Sequence, residues 1–253
     1  MKFDAAFEAA IAGADAVSFV AALASRWPRR ESFSFAHYTP RRGLAERLPP
    51  IDPPRRLFAM NADELLDLAA GDGGALMAKI VGPLVDGRKI QARLKLHFHE
   101  AGAIARHGVL KLVPPPSGQV VAFCSSVRLA AGTYRRFPLV DFRVGAPPAE
   151  DRAANARALE LLCKALQTIE APPGALLRSG NSFHYYGCEA LTLSAWRRTM
   201  YRFLLLEPLV DVRYIAHRLP SSRAVLRLTD VTAKPHVPRV VATVRRTGFA
   251  LHL

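Results

Sequence analysis

Arg178-Ser179-Gly180-Asn181-Ser182-Phe183-His184-Tyr185-Tyr186 is the stretch on which the reading of this chain turns. Ala175–Ser179 reads as a strand entering it, and Phe183–Tyr186 as a second short strand. Between them, Gly180 and its small neighbours allow a tight backbone turn. Hydroxyls and amides in such a turn can hold phosphate oxygens, so Arg178, Asn181 and Ser182 are candidate substrate contacts. Ser182 and His184 lie two residues apart, and on a strand both point to one face. A serine hydroxyl beside an imidazole suits a triphosphate. A hairpin turn with a structural histidine fits the same residues.

Two acidic residues flank this stretch in parallel fashion. Asp141 closes Phe137-Pro138-Leu139-Val140, and Asp211 closes Pro208-Leu209-Val210. A carboxylate ending an apolar strand is costly unless it meets a metal ion, a cation or solvent. Carboxylates on adjacent strands are a common way to build a metal site. Each aspartate is followed two residues on by an arginine, Arg143 and Arg213, so two buried Asp–Arg pairs fit equally.

The elements between them are regular. The spacing predicts a strand over Pro138–Val144, then a helix over Ala149–Ile169 with Leu159, Leu162 and Leu166 on its apolar face. Thr192 or Ser194 caps a helix that runs to Leu206 and ends at Pro208. Leu209–Tyr214, Ala224–Leu228 and Arg239–Val244 read as strands. Toward the N-terminus, residues 3–26 read as one amphipathic helix stopped by Pro28. Pro28–Pro54 is rich in Pro and Arg and reads as a linker or surface arm. Arg55–Met60 is a strand candidate, Asn61 caps a helix to Ala70, and Ile90–His99, Val109–Val113 and Val120–Ser125 are further strands. Strands outnumber helices at uneven spacing, which points to an α+β fold with a mixed sheet.

Composition bounds the function. The chain has 253 residues, half of them apolar, which excludes wholesale disorder. No apolar run is long enough to span a bilayer, and Asp4, Glu8 and Asp15 disqualify the N-terminus as a secretory signal. Cys124, Cys163 and Cys188 are too few and too scattered for a disulfide framework or a zinc knuckle. The expectation is a cytoplasmic protein that does not meet a membrane. His97 and His99 share a strand face and could bind a metal, as in a plain hydrolase, or simply face solvent.

The formal charge is +14, which invites a polyanionic partner. Of the 35 basic residues 28 are Arg, a bias that GC-rich coding alone can produce, so distribution matters more than the total. Between Arg197 and Arg246 there are 11 basic residues against 3 acidic ones. That region is the expected nucleic-acid surface, with Arg227 and Arg245 as its first candidate contacts.

The order of these features resembles the catalytic core of the archaeo-eukaryotic primase superfamily, the primase–polymerases. An apolar strand ends in Asp141, a helix follows, then the strand of Ser182-Phe183-His184, another helix, and Leu209-Val210-Asp211. The family carries two acids spaced by one residue, then Ser-x-His, then an apolar stretch ending in Asp. The resemblance covers about residues 135–230. It implies an RRM-like palm with a mixed sheet flanked by helices over 55–253, and an N-terminal helix and Pro/Arg arm over 1–54 as an appendage. It further implies a nucleotidyltransferase acting on nucleoside triphosphates and a DNA or RNA template. In that scheme Asp141 and Asp211 hold Mg²⁺ or Mn²⁺, and His184 and Ser182 hold the triphosphate. Arg143, Arg213, His217 and Arg227 face its phosphates, and a helicase or a replication or defence assembly is the expected partner. One departure stands out: Arg143 occupies the place of the second acid in the first motif. A guanidinium there repels a metal ion, so the alternative is a catalytically inactive nucleic-acid-binding module on the same scaffold.

Overall fold

The computed structural model describes residues 3–27, 32–38, 99–100, 103–106, 109–112, 118–230, 232 and 235–253. The helices are α1 (Ala5–Ile11), α2 (Ala16–Ser25), α3 (Arg152–Thr168), α4 (Leu193–Leu204) and α5 (Val212–Ser221). The strands are β1 (Ser32–Tyr38), β2 (His99–Glu100), β3 (Ala103–Arg106), β4 (Val109–Leu112), β5 (Val120–Arg128) and β6 (Tyr134–Arg136). They continue as β7 (Leu139–Asp141), β8 (Gly174–Arg178), β9 (Phe183–Gly187), β10 (Val225–Arg227), β11 (Arg239–Val244) and β12 (Phe249–Leu251).

β8 and β9 form a hairpin about residues 179–182, in which the Ser179 amide donates to the Ser182 carbonyl (2.9 Å). Gly180 makes the turn at φ +96°, and a side chain there would press on the His236 ring. The hairpin sits inside a sheet of order β12-β11-β8-β9-β7. A second sheet has the order β10-β5-β1-β2, with β6 added to β5, and β3 and β4 form a ribbon. Every strand pairing among the described residues is antiparallel, so the α+β class holds but the expected mixed sheet is corrected to antiparallel sheets.

One apolar core serves both sheets. Phe33, Phe123 and Phe137 stack together with Trp27 at their edge. The Tyr186 hydroxyl on β9 donates to the Arg227 carbonyl on β10 (3.1 Å), tying one sheet to the other. Helices cover this core through one stripe each. α3 starts at Asp151, whose carboxylate accepts from the Ala154 amide (2.9 Å), and buries Leu159, Leu162, Cys163 and Leu166. α4 starts at Thr192 and buries Trp196, Met200 and Phe203, while the Trp196 indole N–H donates to the Phe137 carbonyl (3.1 Å).

The N-terminal expectations change most. The single helix over 3–26 is two helices, broken at Gly13 (φ +67°) and restarted by Asp15, which accepts from the Ser18 amide (2.7 Å). They are no appendage: Phe7, Ile11, Phe19 and Leu23 are buried in the common core, and Phe19 packs edge-on against Tyr186. Hydrogen bonding to Arg26 holds the Asp4 carboxyl down at about 2 and joins the start of α1 to the end of α2. Within the expected arm, residues 32–38 form β1, a strand between β5 and β2 with Phe35 and Ala36 buried. The strand at 55–60, the helix from Asn61, His97 and the boundary between 54 and 55 lie outside the described residues.

Candidate active site

The segment Asp141–Ala146 is the spine of the site. On one side it runs beside the second motif. Asp141 is the direct register partner of His184, the Phe142 amide donates to the Phe183 carbonyl (2.9 Å), and the Ala146 amide donates to the Asn181 carbonyl (2.9 Å). On its other side it runs beside the third motif. Phe142 bridges Val210, the Arg143 amide donates to the Leu209 carbonyl (2.7 Å), and the Asp211 amide donates to the Asp141 carbonyl (3.0 Å). Three stretches separated by about forty and thirty residues of sequence thus lie edge to edge. The backbone hydrogen bonds fix their register, so a one-residue slip would turn Asp141 away from His184.

The side chains follow from that register. His184 is buried in the sheet, and its Nε2 lies 3.7 Å from Asp141 Oδ1. Asp141 is about one-third exposed (34%), so the pair has an open side toward solvent. Asp211 does not continue a strand as expected. It caps α5, its Oδ1 accepting from the Tyr214 amide (3.1 Å) with Arg213 Nε at 3.8 Å. The helix begins here because Asp211 satisfies a first-turn amide and Ile215 is buried one turn on. Ser182 Oγ meets Ser179 Oγ at 3.1 Å within the turn, and Asn181 is exposed. Arg143 is exposed on the spine, and Arg213 and His217 are exposed one turn apart on α5. The backbones that carry Asp141, His184 and Asp211 therefore adjoin, with Asp141 and His184 in direct side-chain proximity.

A family model described as archaeo-eukaryotic primase 1D-like matches residues 109–239, more than half of the chain and all three motifs. The chain belongs to the archaeo-eukaryotic primase family. Comparison with curated proteins and with solved structures returned no match. The family implies nucleotide and nucleic-acid substrates, and no helix among the described residues is long and apolar enough to cross a membrane.

Within this primase core several of the candidate contact residues also hold parts of the protein itself. Arg178 Nη1 donates to Asn155 Oδ1 (2.9 Å) and its Nη2 to the Pro147 carbonyl, fastening the end of the spine to α3. Arg227 is buried on β10, and its guanidinium donates to the carbonyls of Ser179, Thr229 and His236. From there it holds the serine-lined turn from behind. Arg245 pairs with Glu8 and is likewise occupied. Ser179 and Arg227 as builders of the turn were missed by the sequence reading. The signal for Arg227 was its place in the apolar run Val225-Leu226-Arg227-Leu228, which marks a buried position.

The donor chemistry bears on the metal that the primase family implies. Asp141 and Asp211 are brought together by their backbones, and each keeps about a third of its side chain exposed. Among the described residues no group of three or more His, Cys, Asp or Glu side chains is arranged to hold a metal ion. Two carboxylates suit one Mg²⁺-like ion that fills its shell with water and substrate phosphate oxygens. They do not form a ready-made cage for two ions, and Arg143 stands where a further acid would be needed.

Proposed function

We propose that this primase-family domain is a nucleotidyltransferase that joins nucleoside triphosphates on a nucleic-acid template. The observation that carries the reading is the edge-to-edge placement of Asp141, His184 and Asp211 by the Asp141–Ala146 spine. In the reaction a 3′-hydroxyl loses its proton to solvent and its oxygen bonds to the α-phosphorus, while the P–O bond from that phosphorus to the α–β bridging oxygen breaks and pyrophosphate leaves with the bond's electrons. Mg²⁺ or Mn²⁺ held by Asp141 and Asp211 would supply neutralisation of the phosphate charge that develops. His184 is held rigid by the sheet and braced by Asp141, so it presents its imidazole at a fixed point beside the triphosphate. The turn at 179–182 supplies Ser182 and the exposed Asn181 to phosphate oxygens. Arg143, Arg213 and His217 form the cationic rim that draws the triphosphate in and pairs with its terminal phosphates. Preorganised donors of this kind act without rearranging at the moment of reaction, which is where such sites gain most of their rate.

Arg143 favours a second reading, in which the domain binds nucleotide and nucleic acid without joining them. Synthesis and extension of a primer with Mg²⁺ or Mn²⁺ separates the two. Wild-type protein is expected to incorporate nucleotide, and Asp141→Ala with Asp211→Ala to lose at least about a hundredfold, the scale of removing an electrostatic catalytic group. Wild-type protein as inactive as the double variant, yet still binding oligonucleotide, would establish the second reading.

A further inference from the structure

The outer face of α4 carries features that the candidate active site does not use. Ser194, Arg197, Arg198, Tyr201, Arg202 and Leu205 line a shallow, open groove along this helix. The opposite stripe, Trp196, Met200 and Phe203, is fully buried, so the groove face has nothing to contribute to the core. Tyr201 is 56% exposed and Leu205 77%. Large apolar side chains so exposed are few among the described residues, and another of them, Tyr134, lies on β6, which packs against α4. Codon bias accounts for surplus arginine, but not for an aromatic ring and a leucine set out among the arginines.

The charges on this face are also held together against their repulsion. Arg136 Nε donates to the Ser222 carbonyl (2.7 Å) and Arg197 Nη2 to the Ser222 hydroxyl (3.0 Å), so two guanidinium groups converge on one residue. Ser222 itself is in the left-handed region, φ +51°, at the end of α5. Burial and the neighbouring Arg197 charge both push the Arg136 guanidinium pKa down, the mark of a cation lacking a counter-charge. Among the described residues no carboxylate lies within ion-pair distance of Arg136, Arg197 or Arg198. Arg202 is the exception on this helix, paired with Glu170 at 3.0 Å.

We propose that this face of α4 is a binding surface for a single strand of nucleic acid, its phosphates held by Arg197 and Arg198 and a base stacked on Tyr201. The surface rests on the nucleic-acid part of the proposed function and is independent of its chemistry. Arginines alone would suit any polyanion, including an acidic protein. The exposed ring between them selects unpaired bases, whose faces stack on aromatic side chains regardless of sequence. Leu205, one turn beyond Tyr201, extends the platform with an apolar contact for sugar or base.

The test is binding of fluorescently labelled oligothymidylate to the full chain, followed by anisotropy across a range of salt. Tyr201→Ala is expected to weaken binding by roughly 5- to 150-fold, the measured range for loss of one base–aromatic stack, while Tyr201→Phe keeps wild-type affinity. The double variant Arg197→Gln/Arg198→Gln should make the slope of log affinity against log salt shallower by about 1.4, at about 0.7 per phosphate contact on a single strand. All three variants alter exposed side chains, and unchanged thermal unfolding confirms that any loss is one of contact. Asp141→Asn, expected to abolish synthesis, should bind the oligonucleotide as wild type does, so this surface and the catalytic reading fail separately. Wild-type affinity and slope in both the Tyr201→Ala and the double-Gln proteins would overturn the proposal. So would oligoglutamate binding as tightly as oligothymidylate with no dependence on Tyr201, which would assign the face to an acidic protein.

Discussion

Arg227→Lys separates a structural role from the substrate role that the family resemblance implies for this residue. The native guanidinium spans the carbonyls of Ser179, Thr229 and His236 from a buried position (5% exposed). Lysine keeps the charge, but as a point donor on a flexible stem it cannot reach three carbonyls set around a planar fork. At least one carbonyl then loses its donor, at about 1–3 kcal/mol, and the ammonium must be desolvated in poorer geometry. A net loss of about 2–4 kcal/mol is expected, less than the sum over three charged hydrogen bonds because the buried charge already costs free energy in the native protein. For a chain of this size that lowers the melting temperature by roughly 4–16 °C, and in urea the midpoint falls with the slope unchanged. The Ser179 carbonyl begins the turn that carries Ser182, so triphosphate affinity should fall in step with stability. If Arg227→Lys melts within about 1 °C of wild type and loses only triphosphate binding, the arginine faces substrate and the reasoning is wrong.

Other consequences can be checked in the same proteins. Gly180→Ala forces a Cβ into a left-handed backbone and against His236, for about 1–2 kcal/mol of destabilisation measurable by urea unfolding. Burial alone would raise the Glu8 carboxyl, but hydrogen bonds from Arg245 and Thr243 outweigh it and hold it below its ordinary value of 4.5. That contribution is therefore complete above the unfolded value and disappears as pH falls through the depressed folded one. Glu8→Gln should lose about 1 kcal/mol at neutral pH, modest because the Arg245 side chain is half exposed, and should flatten the fall in stability below about pH 4.5. Burial pushes the Cys163 thiol up to about 12 and raises Cys188 further, and Cys124 is buried as well. None of the three should react with a thiol reagent until the protein unfolds, and rapid labelling of native protein would contradict the buried placement.

The motifs were legible because each sits on an element with a strong local signal. Ser182-Phe183-His184 follows a glycine turn, Thr192 caps a helix with Trp196, Met200 and Phe203 at helical spacing, and Asp141 ends a short apolar run. Strand β1 was read as part of an arm because the prolines and arginines around it dominate the window. Its Phe33–Phe35 alternation was the available sign of a half-buried strand. The sequence reads Asp211 as closing an apolar stretch inside a strand over Leu209–Tyr214. Its oxygen instead competes for a helical amide, and Ile215 and Leu219 at a spacing of four carry the helix. The pairing of Glu8 with Arg245 joins the two ends of the chain, and no local pattern announces a contact across that separation. The same holds for the site as a whole. Sequence order suggested that Asp141, His184 and Asp211 belong together, but only the sheet register shows that the 141–146 segment lies between the other two.

Soaking or co-crystallising the full chain with Mn²⁺ and a nucleoside triphosphate analogue that cannot transfer its α-phosphate addresses the central assignment most directly. The Mn²⁺ position is read from its anomalous signal. The expected result is one ion against the carboxylates of both Asp141 and Asp211, sharing phosphate oxygens with a triphosphate that runs past His184 to the turn of Asn181 and Ser182. A triphosphate bound away from these residues, or seated on them with no ion and with Arg143 neutralising its α-phosphate, would contradict nucleotidyl transfer at this site.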